Sequence, residues 1–407
     1  AVAALEAMAP IDRRQYWDAL SPAEREQLIR ANPLVIGNAD GVAFADRIVA
    51  KDLNVRQALA RRLAAGEGDS PRVRTLRELL EPARGPDGRL VPRTLIAFED
   101  VGNGRVIELV GELTDGVSGV GLLVPGTGTR LETLGQQRDR ALALSRASGA
   151  PVFVYVDGDL PQRVAPTEWS DLGTFLGGSL AGPAAAVETT DRLFDGTAVE
   201  RGPALEIGTG LVEFARQVDV EIAEHAPGAP LTVIGHSYGG SVVGTAEQLG
   251  LRADNIVYAS SAGTGVLDGD WQNANPAVQR YSLTAPGDPI QLVQMIASAH
   301  GGDPDIAPGV IRLDSGFYAA PDGGPGELVA GSDGHSGYLD DYESTGFRNL
   351  TAVLSGEPTM PYIRRASDLP QEAVDLIQDL VRLGRAFRFA GTGVASLGGL
   401  LPTVGPG

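Results

Sequence analysis

The chain has 407 residues and a formal net charge of −19, and 43% of its residues are hydrophobic and 21% charged. This balance is typical of a soluble globular protein, built as one large domain with an appendage or as two domains. The strong negative charge disfavours nucleic acid and anionic membrane surfaces as partners. The absence of cysteine excludes disulfides, thiolate metal ligands and cysteine catalysis.

The sequence predicts neither a transmembrane helix nor a signal peptide. No apolar run reaches the ~18 residues that suggest a membrane span, so we expect no stable membrane insertion. No basic segment followed by an apolar segment stands near the start. We therefore favour a cytoplasmic protein, with export and the oligomeric state left open.

The first part of the chain, residues 1–85, predicts helices and no strands. In LSPAEREQLIRA, Ser21 is placed to cap a helix, a proline follows at the first helical position, and Glu24 completes a capping box. Apolar residues recur at helical spacing in the later segments. The stretch IGNADG predicts a turn between two helices. We therefore expect an all-α N-terminal region.

Residues 86–358 alternate between strand and helix patterns. The runs RTLIAFEDV and RVIELVGEL, separated by GNG, predict a β-hairpin. Aliphatic strands that alternate with helices predict a mainly parallel sheet covered on both faces, with the hairpin adding antiparallel strands at one edge. The later strand candidates are LTVIG, NIVYAS, YSLTAPGD and GVIRLDSGFY. Residues 359–407 predict a helix followed by an irregular tail.

The stretch LTVIGHSYGGSVVG contains the motif G-x-S-x-G between a predicted strand and a predicted helix. This pattern is typical of a nucleophile elbow, a tight turn that requires glycines two residues before and after the serine. We predict that Ser237 is a catalytic nucleophile. The competing interpretation is an ordinary glycine-rich corner with an incidental serine.

A serine nucleophile needs a base, and the base needs an orienting carboxylate. We favour His335 as the base because glycines surround it in a loop after the last strand candidate, with His300 as the alternative. We favour Asp288 as the carboxylate because it follows a strand in YSLTAPGDPI, although it also suits a helix start. The alternative carboxylates are Asp268, Asp270 and Asp303.

An oxyanion hole requires two hydrogen-bond donors. We predict the backbone N–H of Tyr238, after the nucleophile, and that of Thr127, in the loop VPGTGT after an earlier strand, with Gly126 allowing close approach. A phosphate-binding loop is the alternative, but the loop lacks the lysine of a P-loop and the full G-x-G-x-x-G. We expect no cofactor and no metal.

The order Ser237, Asp288, His335 along alternating strands and helices predicts an α/β-hydrolase fold with the all-α N-terminal segment. The chain resembles an actinobacterial α/β-hydrolase family formerly of unknown function, in the stretches VIGNADGVAFADR, VPGTGT, VIGHSYGG, LTAPGDPI and GHSGYLDD. The resemblance implies a serine hydrolase of esterase or lipase type and supports the same three residues. The loop has Pro125 where lipases commonly have histidine, a departure from their pattern.

The sequence therefore predicts a carboxylic-ester hydrolase that acts on a small-molecule ester or lipid. An acyltransferase with the same residues and a catalytically silent binding or scaffold protein are the alternatives. A glycine- and proline-punctuated insertion near residues 157–202 either lines the site or is a structural excursion. Within it, Trp169 and Phe175 are the candidate substrate-lining residues.

Overall fold

The computed structural model describes residues 4–5, 7–163, 198, 200–267, 270–294, 300–320 and 325–365. The predicted substrate-lining residues Trp169 and Phe175, the alternative carboxylate Asp268 and the predicted C-terminal helix lie outside the described residues.

Helices form the described N-terminal region, as predicted. They are α1 (Pro10–Asp18), α2 (Pro22–Ala31), α3 (Pro33–Asn38), α4 (Phe44–Ala64) and α5 (Pro71–Leu80). The predicted capping box at α2 is present: Ser21 Oγ accepts a hydrogen bond from Glu24 N at 3.3 Å, and Glu24 Oε2 accepts one from Ser21 N at 2.8 Å. The predicted turn in IGNADG also forms, and Gly41 adopts a φ of 92° in it, between α3 and α4.

Strands alternate with helices in the rest of the described chain. The strands are β1 (Ala83–Arg84), β2 (Leu90–Val91), β3 (Thr94–Glu99), β4 (Arg105–Val110), β5 (Val120–Val124), β6 (Val152–Val156), β7 (Leu231–His236), β8 (Asn255–Ala259), β9 (Gln279–Leu283), β10 (Val310–Arg312), β11 (Phe317–Ala319) and β12 (Pro325–Leu328). The helices are α6 (Leu134–Ser148), α7 (Gly202–His225), α8 (Tyr238–Gln248), α9 (Ile290–Gln294), α10 (Gly331–Gly334), α11 (Gly337–Asp340) and α12 (Thr345–Ser355).

Eight of these strands form one sheet in the order β10-β9-β8-β7-β5-β6-β4-β3. Strand β4 pairs antiparallel with both β3 and β6, and every other pairing is parallel. This confirms the predicted mainly parallel sheet with antiparallel strands at one edge. The central strands β5, β6 and β7 are buried along their whole length, as expected for a sheet covered on both faces.

Two details of the strand prediction are wrong. The run GVIRLDSGFY forms two strands rather than one: β10 joins the main sheet, whereas β11 pairs with β12 in a separate ribbon. The chain changes direction between them at Gly316, which has a left-handed φ of 55°. The helical N-terminal region also ends in a short strand, since β1 pairs with β2.

The order in which strands are added to the sheet reverses at β5. From β5 the chain crosses to β6 on one side, and it then returns to β7 on the other side. In open α/β sheets, ligands bind in the crevice outside the carboxyl ends of the strands at such a switch point. The carboxyl ends of β5 and β7 are therefore the place to look for a site.

The N-terminal helices cover the β3 edge of the sheet. The side-chain amide of Asn38 pairs with the main chain of Phe98, donating to its carbonyl at 3.3 Å and accepting from its N–H at 3.4 Å. Arg47 Nε donates to the carbonyl of Ile96 at 3.2 Å. These side chains occupy backbone groups that an edge strand otherwise leaves unpaired. No helix in the described part of the chain has the length and apolar character of a membrane span.

Candidate active site

Ser237 lies in the turn between β7 and α8, at the carboxyl end of the central strand. Its φ of 56° and ψ of −122° are unfavourable for a residue with a side chain. A Cβ at Gly235 would lie 2.6 Å from the Cα of Gly240, and one at Gly239 would lie 2.1 Å from the carbonyl oxygen of Val124. The glycines of G-x-S-x-G are therefore required by space, and the turn has the strained geometry that was predicted for an elbow.

The main chain holds Ser237 firmly from the neighbouring strand. Its N–H donates to the carbonyl of Ala259 at 3.0 Å, and its own carbonyl accepts from Ala262 N at 3.0 Å. The residue is half-buried, and helix α8 begins immediately after it. The N-terminal end of a helix favours negative charge, so this position suits an oxygen that becomes anionic.

His335 and Asp288, the predicted base and carboxylate, lie together. The Nδ1 atom of His335 is 3.0 Å from both carboxylate oxygens of Asp288. Because an ionised carboxylate only accepts hydrogen bonds, Nδ1 carries the proton and Nε2 is left as an acceptor. Asp288 is 1% exposed, whereas the His335 side chain is 27% exposed. The carboxylate is therefore buried, and the imidazole that it contacts is partly open to solvent.

Asp288 has a second contact that the sequence also predicted. Its Oδ1 accepts a hydrogen bond from Ile290 N at 2.9 Å, at the start of α9. The same carboxylate thus orients His335 and caps a short helix. Asp270, one of the alternatives, is exposed, and Asp303 caps a 3-10 turn through a 2.8 Å contact with Asp305 N.

The alternative base, His300, is engaged elsewhere. It is 3% exposed, and its Nε2 lies 2.7 Å from the carbonyl of Ala198. Burial is the main reason why the pKa of His300 lies below its ordinary value of 6.5. Its ring also meets the ring of Tyr238 edge to face, with centroids 5.5 Å apart. His300 therefore packs behind the elbow.

The loop after β5 lies directly against Ser237. A Cβ on Gly126 would be 2.6 Å from the Cβ of Ser237 and 2.9 Å from the carbonyl oxygen of His236. The next residue, Thr127, has a buried Oγ1 with no hydrogen-bond partner in the part of the chain that the structure describes. The loop is fixed from the other side, since Gly128 N donates to the carbonyl of Pro161 at 2.8 Å.

The side chain of Tyr238 ties the elbow to the start of α7. Its hydroxyl donates to the carbonyl of Glu200 at 2.6 Å and accepts from Ala204 N at 3.0 Å. Burial is the main cause that raises the pKa of this phenol, so it stays protonated and available as a donor. The sequence analysis predicted a role only for the backbone N–H of Tyr238, not for its hydroxyl.

Contacts around His335 were also missed by the sequence prediction. His236 Nε2 lies 3.0 Å from the carbonyl oxygen of His335. The hydroxyl of Tyr338, which is buried three residues after His335, donates to Ser260 Oγ at 3.2 Å, and Ser260 has a φ of 43°. Each contact joins segments far apart in the chain, so the local sequence carried no signal for it.

Two surface grooves lie away from these residues. One has a volume of about 340 Å³ and includes Asp219, Pro230 and Arg252, and the other, of about 400 Å³, includes Asn255 and Gln279. Both lie where β7, β8 or β9 begins. Ser237 lies at the opposite, carboxyl end of these parallel strands. In the described ranges, no group of three or more histidine, aspartate or glutamate residues could hold a metal ion.

Two features decide the architecture. Of the eight strands in the sheet only β4 is antiparallel to its neighbours, and the strained Ser237 follows β7, the fifth of these strands along the chain. The chain has the α/β-hydrolase fold. A family model described as alpha/beta hydrolase matches residues 100–298, a range that includes Ser237 and Asp288 and ends before His335. Two sheet strands lie outside that range, β3 before it and β10 after it, and so does the loop that carries His335.

Solved structures with likeness to the chain include several esterases. An arylesterase is 14% identical, with a TM-score of 0.35, and the match covers 74% of this chain and 97% of that one. A Pyrobaculum calidifontis esterase is 13% identical, with a TM-score of 0.34 and coverages of 83% and 99%. The esterase LipW from Mycobacterium marinum is 14% identical, with a TM-score of 0.25 and coverages of 93% and 96%. No curated protein matches the chain.

Proposed function

We propose that the protein is a serine hydrolase that cleaves carboxylic esters through an acyl-enzyme on Ser237. The observation that supports this most directly is the His335–Asp288 pair, with contacts of 3.0 Å, in a fold that places a strained serine at the switch point of its sheet. A neutral imidazole anchored at Nδ1 is suited to remove a proton through Nε2.

In the proposed mechanism, His335 takes the hydroxyl proton of Ser237 as the serine oxygen attacks the ester carbonyl. The backbone N–H groups of Tyr238 and Thr127 stabilise the oxygen that becomes negative, and Gly126 leaves room for it. The tetrahedral intermediate expels the alcohol, which receives the proton from His335. Water then attacks the acyl-enzyme by the reverse sequence and releases the acid.

One contact of this mechanism must form when substrate binds. Among the described residues, Ser237 Oγ makes no hydrogen bond to His335. Hydrogen bonds between catalytic groups are often long in free enzymes and shorten in the substrate complex. The mechanism therefore requires the hydroxyl and the imidazole to come within hydrogen-bond distance in the substrate complex.

The proposal is tested with a fluorophosphonate probe and chromogenic esters of graded acyl length. The wild type is expected to be labelled on Ser237 and to hydrolyse at least one ester, whereas Ser237→Ala does neither. Ser241→Ala is the matched control, because Ser241 is a buried serine in the adjoining helix α8. An unlabelled wild type, or wild-type turnover in Ser237→Ala, would refute the assignment.

The same ester assay, run with added alcohol, identifies the acceptor of the acyl group. If added alcohol yields a new ester in place of the free acid, the protein is an acyltransferase with the same acyl-enzyme. If the probe does not label a folded wild-type protein, a binding or scaffold role replaces catalysis.

A further inference from the structure

His236 connects the nucleophile elbow to the residue that carries the proposed base. It immediately precedes Ser237, and its Nε2 atom lies 3.0 Å from the carbonyl oxygen of His335. The two imidazole rings also lie against each other, with centroids 5.1 Å apart. Ser336 Oγ lies 3.4 Å from the same Nε2. One side chain therefore contacts the base residue at both its main chain and its ring.

The chemistry of this contact fixes the state of His236. A carbonyl oxygen can only accept, so Nε2 must carry a proton and donate it. Burial is the largest cause that holds the pKa of His236 well below 6.5, and the nearby His335 and Arg140 add to it. Arg140 itself is paired with Asp340, at 2.7 and 2.8 Å. His236 is therefore a neutral donor that does not compete with His335 for protons.

The hydrogen bond from His236 connects a rigid part of the fold to a more exposed one. His236 ends β7, which is buried in the middle of the sheet, whereas His335 follows the four-residue helix α10 and is partly exposed. The Asp288 contact fixes the ring of His335, but it does not fix the main chain from which the ring extends. The hydrogen bond from His236 links that main chain to the strand end that carries Ser237.

We propose that His236 is a positioning residue that sets the distance between the proposed base and the proposed nucleophile. The proposal rests on the proposed function, because it concerns the same two residues. Loss of the bond would let His335 shift while Asp288 still holds its ring. A shift of about 1 Å at a reacting group can cost about 100-fold in rate.

The test compares two substitutions that keep the size of the side chain. In His236→Phe the ring stays and the donor is lost, whereas in His236→Gln the amide nitrogen stands at the same number of bonds from Cα as Nε2. We expect His236→Phe to lower kcat by about 10- to 100-fold, with KM little changed, because only the transition state needs the exact distance. We expect His236→Gln to recover most of this loss. His225→Phe, at an exposed histidine in α7, is the matched control.

The outcomes separate this proposal from the proposed function. If the wild type is neither labelled nor active, the proposed function fails first. If the wild type is active and folded His236→Phe has the same kcat, or His236→Gln is as impaired as His236→Phe, the positioning role is wrong. Thermal unfolding and the final extent of fluorophosphonate labelling show whether each variant is folded. If His236→Phe does not fold, the test rests on the kcat of His236→Gln. A positioning donor predicts near-wild-type turnover in that variant, and a large loss of kcat contradicts the proposal.

Discussion

His335 Nδ1 lies 3.0 Å from each of the two carboxylate oxygens of Asp288, and Asp288 is almost fully buried. This arrangement leaves one tautomer of the imidazole, with the proton on Nδ1 and the lone pair on Nε2. It also means that a positive charge on His335 would be stabilised by a carboxylate that water does not reach. Both effects are required of a carboxylate that supports a general base.

The substitution Asp288→Asn is therefore expected to lower kcat by up to about 10⁴-fold, because an amide can hold the ring in the wrong tautomer. Steady-state hydrolysis of the best chromogenic ester measures the effect. Asp270→Asn is the control, since Asp270 is exposed. A near-normal rate in Asp288→Asn, or a large loss in Asp270→Asn, would move the role to another carboxylate.

The substitution Gly126→Ala is expected to abolish hydrolysis. The added Cβ would lie 2.6 Å from Ser237 Cβ and 3.1 Å from its Oγ, in the space that the substrate oxygen needs. Gly135→Ala is the matched control, because a Cβ at Gly135 has no neighbour within 4 Å. Ester turnover and fluorophosphonate labelling are the measurements, and normal turnover in Gly126→Ala would place the oxyanion site elsewhere.

The substitution Ser237→Gly is expected to inactivate the protein and to stabilise it relative to Ser237→Ala. The φ of 56° and ψ of −122° are strained for serine or alanine, at about 1–3 kcal/mol, and glycine adopts positive φ freely. The greater freedom of glycine in the unfolded chain offsets about 0.4–1 kcal/mol of this gain. Urea unfolding of both variants measures the difference, and equal or lower stability of Ser237→Gly would contradict a strained elbow.

The substitution Arg47→Met is expected to destabilise the protein by about 3 kcal/mol, since it leaves buried acceptors without their donor. Arg47 is fully buried and donates to Gly37 O at 3.0 Å, to Ile96 O at 3.2 Å and to the side chain of Gln217. Arg30→Met removes only an exposed ion pair, so its effect should stay below about 1 kcal/mol. Urea unfolding measures both, and equal effects would show that the buried contacts of Arg47 add no stability.

Buried neutral histidines predict a loss of stability as the pH falls. Burial lowers the pKa of His300 below 6.5, so the unfolded chain binds its proton at a higher pH than the folded protein does. The free energy of unfolding therefore falls as the pH drops below about 6.5. His300→Gln keeps a donor for Ala198 and removes the titration, so it should gain stability relative to wild type between pH 7 and pH 5. The control is exposed His225→Gln, and a constant difference between wild type and His300→Gln would contradict the prediction.

Local patterns were enough to predict the central strands and the elbow. The run LTVIG before Ser237 is apolar throughout because β7 is buried on both faces, and Gly235 and Gly239 are fixed by direct collisions. The hairpin of β3 and β4 was equally clear, since GNG allows the tight turn and both flanking runs are rich in aliphatic residues. Spacing along the chain placed Asp288 and His335 after later strands, where the structure brings them together.

Contacts between distant segments could not be predicted in the same way. His236 and His335 are 99 residues apart, and Asn38 and Phe98 are 60 apart, so neither pairing leaves a periodic or local pattern. The split of GVIRLDSGFY had a local signal in Gly316, which has a left-handed φ of 55° and where a Cβ would lie 2.4 Å from the Cβ of Thr345. The strand propensity of these residues was predicted correctly. The division into two strands depends on their different partners, since β10 pairs with β9 and β11 pairs with β12.

The pairing of Asn38 with the main chain of Phe98 bears on how the protein can be trimmed. A chain shortened to residues 86–358 would keep every strand of the sheet but would lose the side chains that occupy the β3 edge. Its backbone groups would then be open to a strand from another molecule, and exposed edges of this kind are a route to aggregation. We therefore expect the shortened protein to self-associate more than the full chain, and size-exclusion chromatography of the two proteins measures the difference.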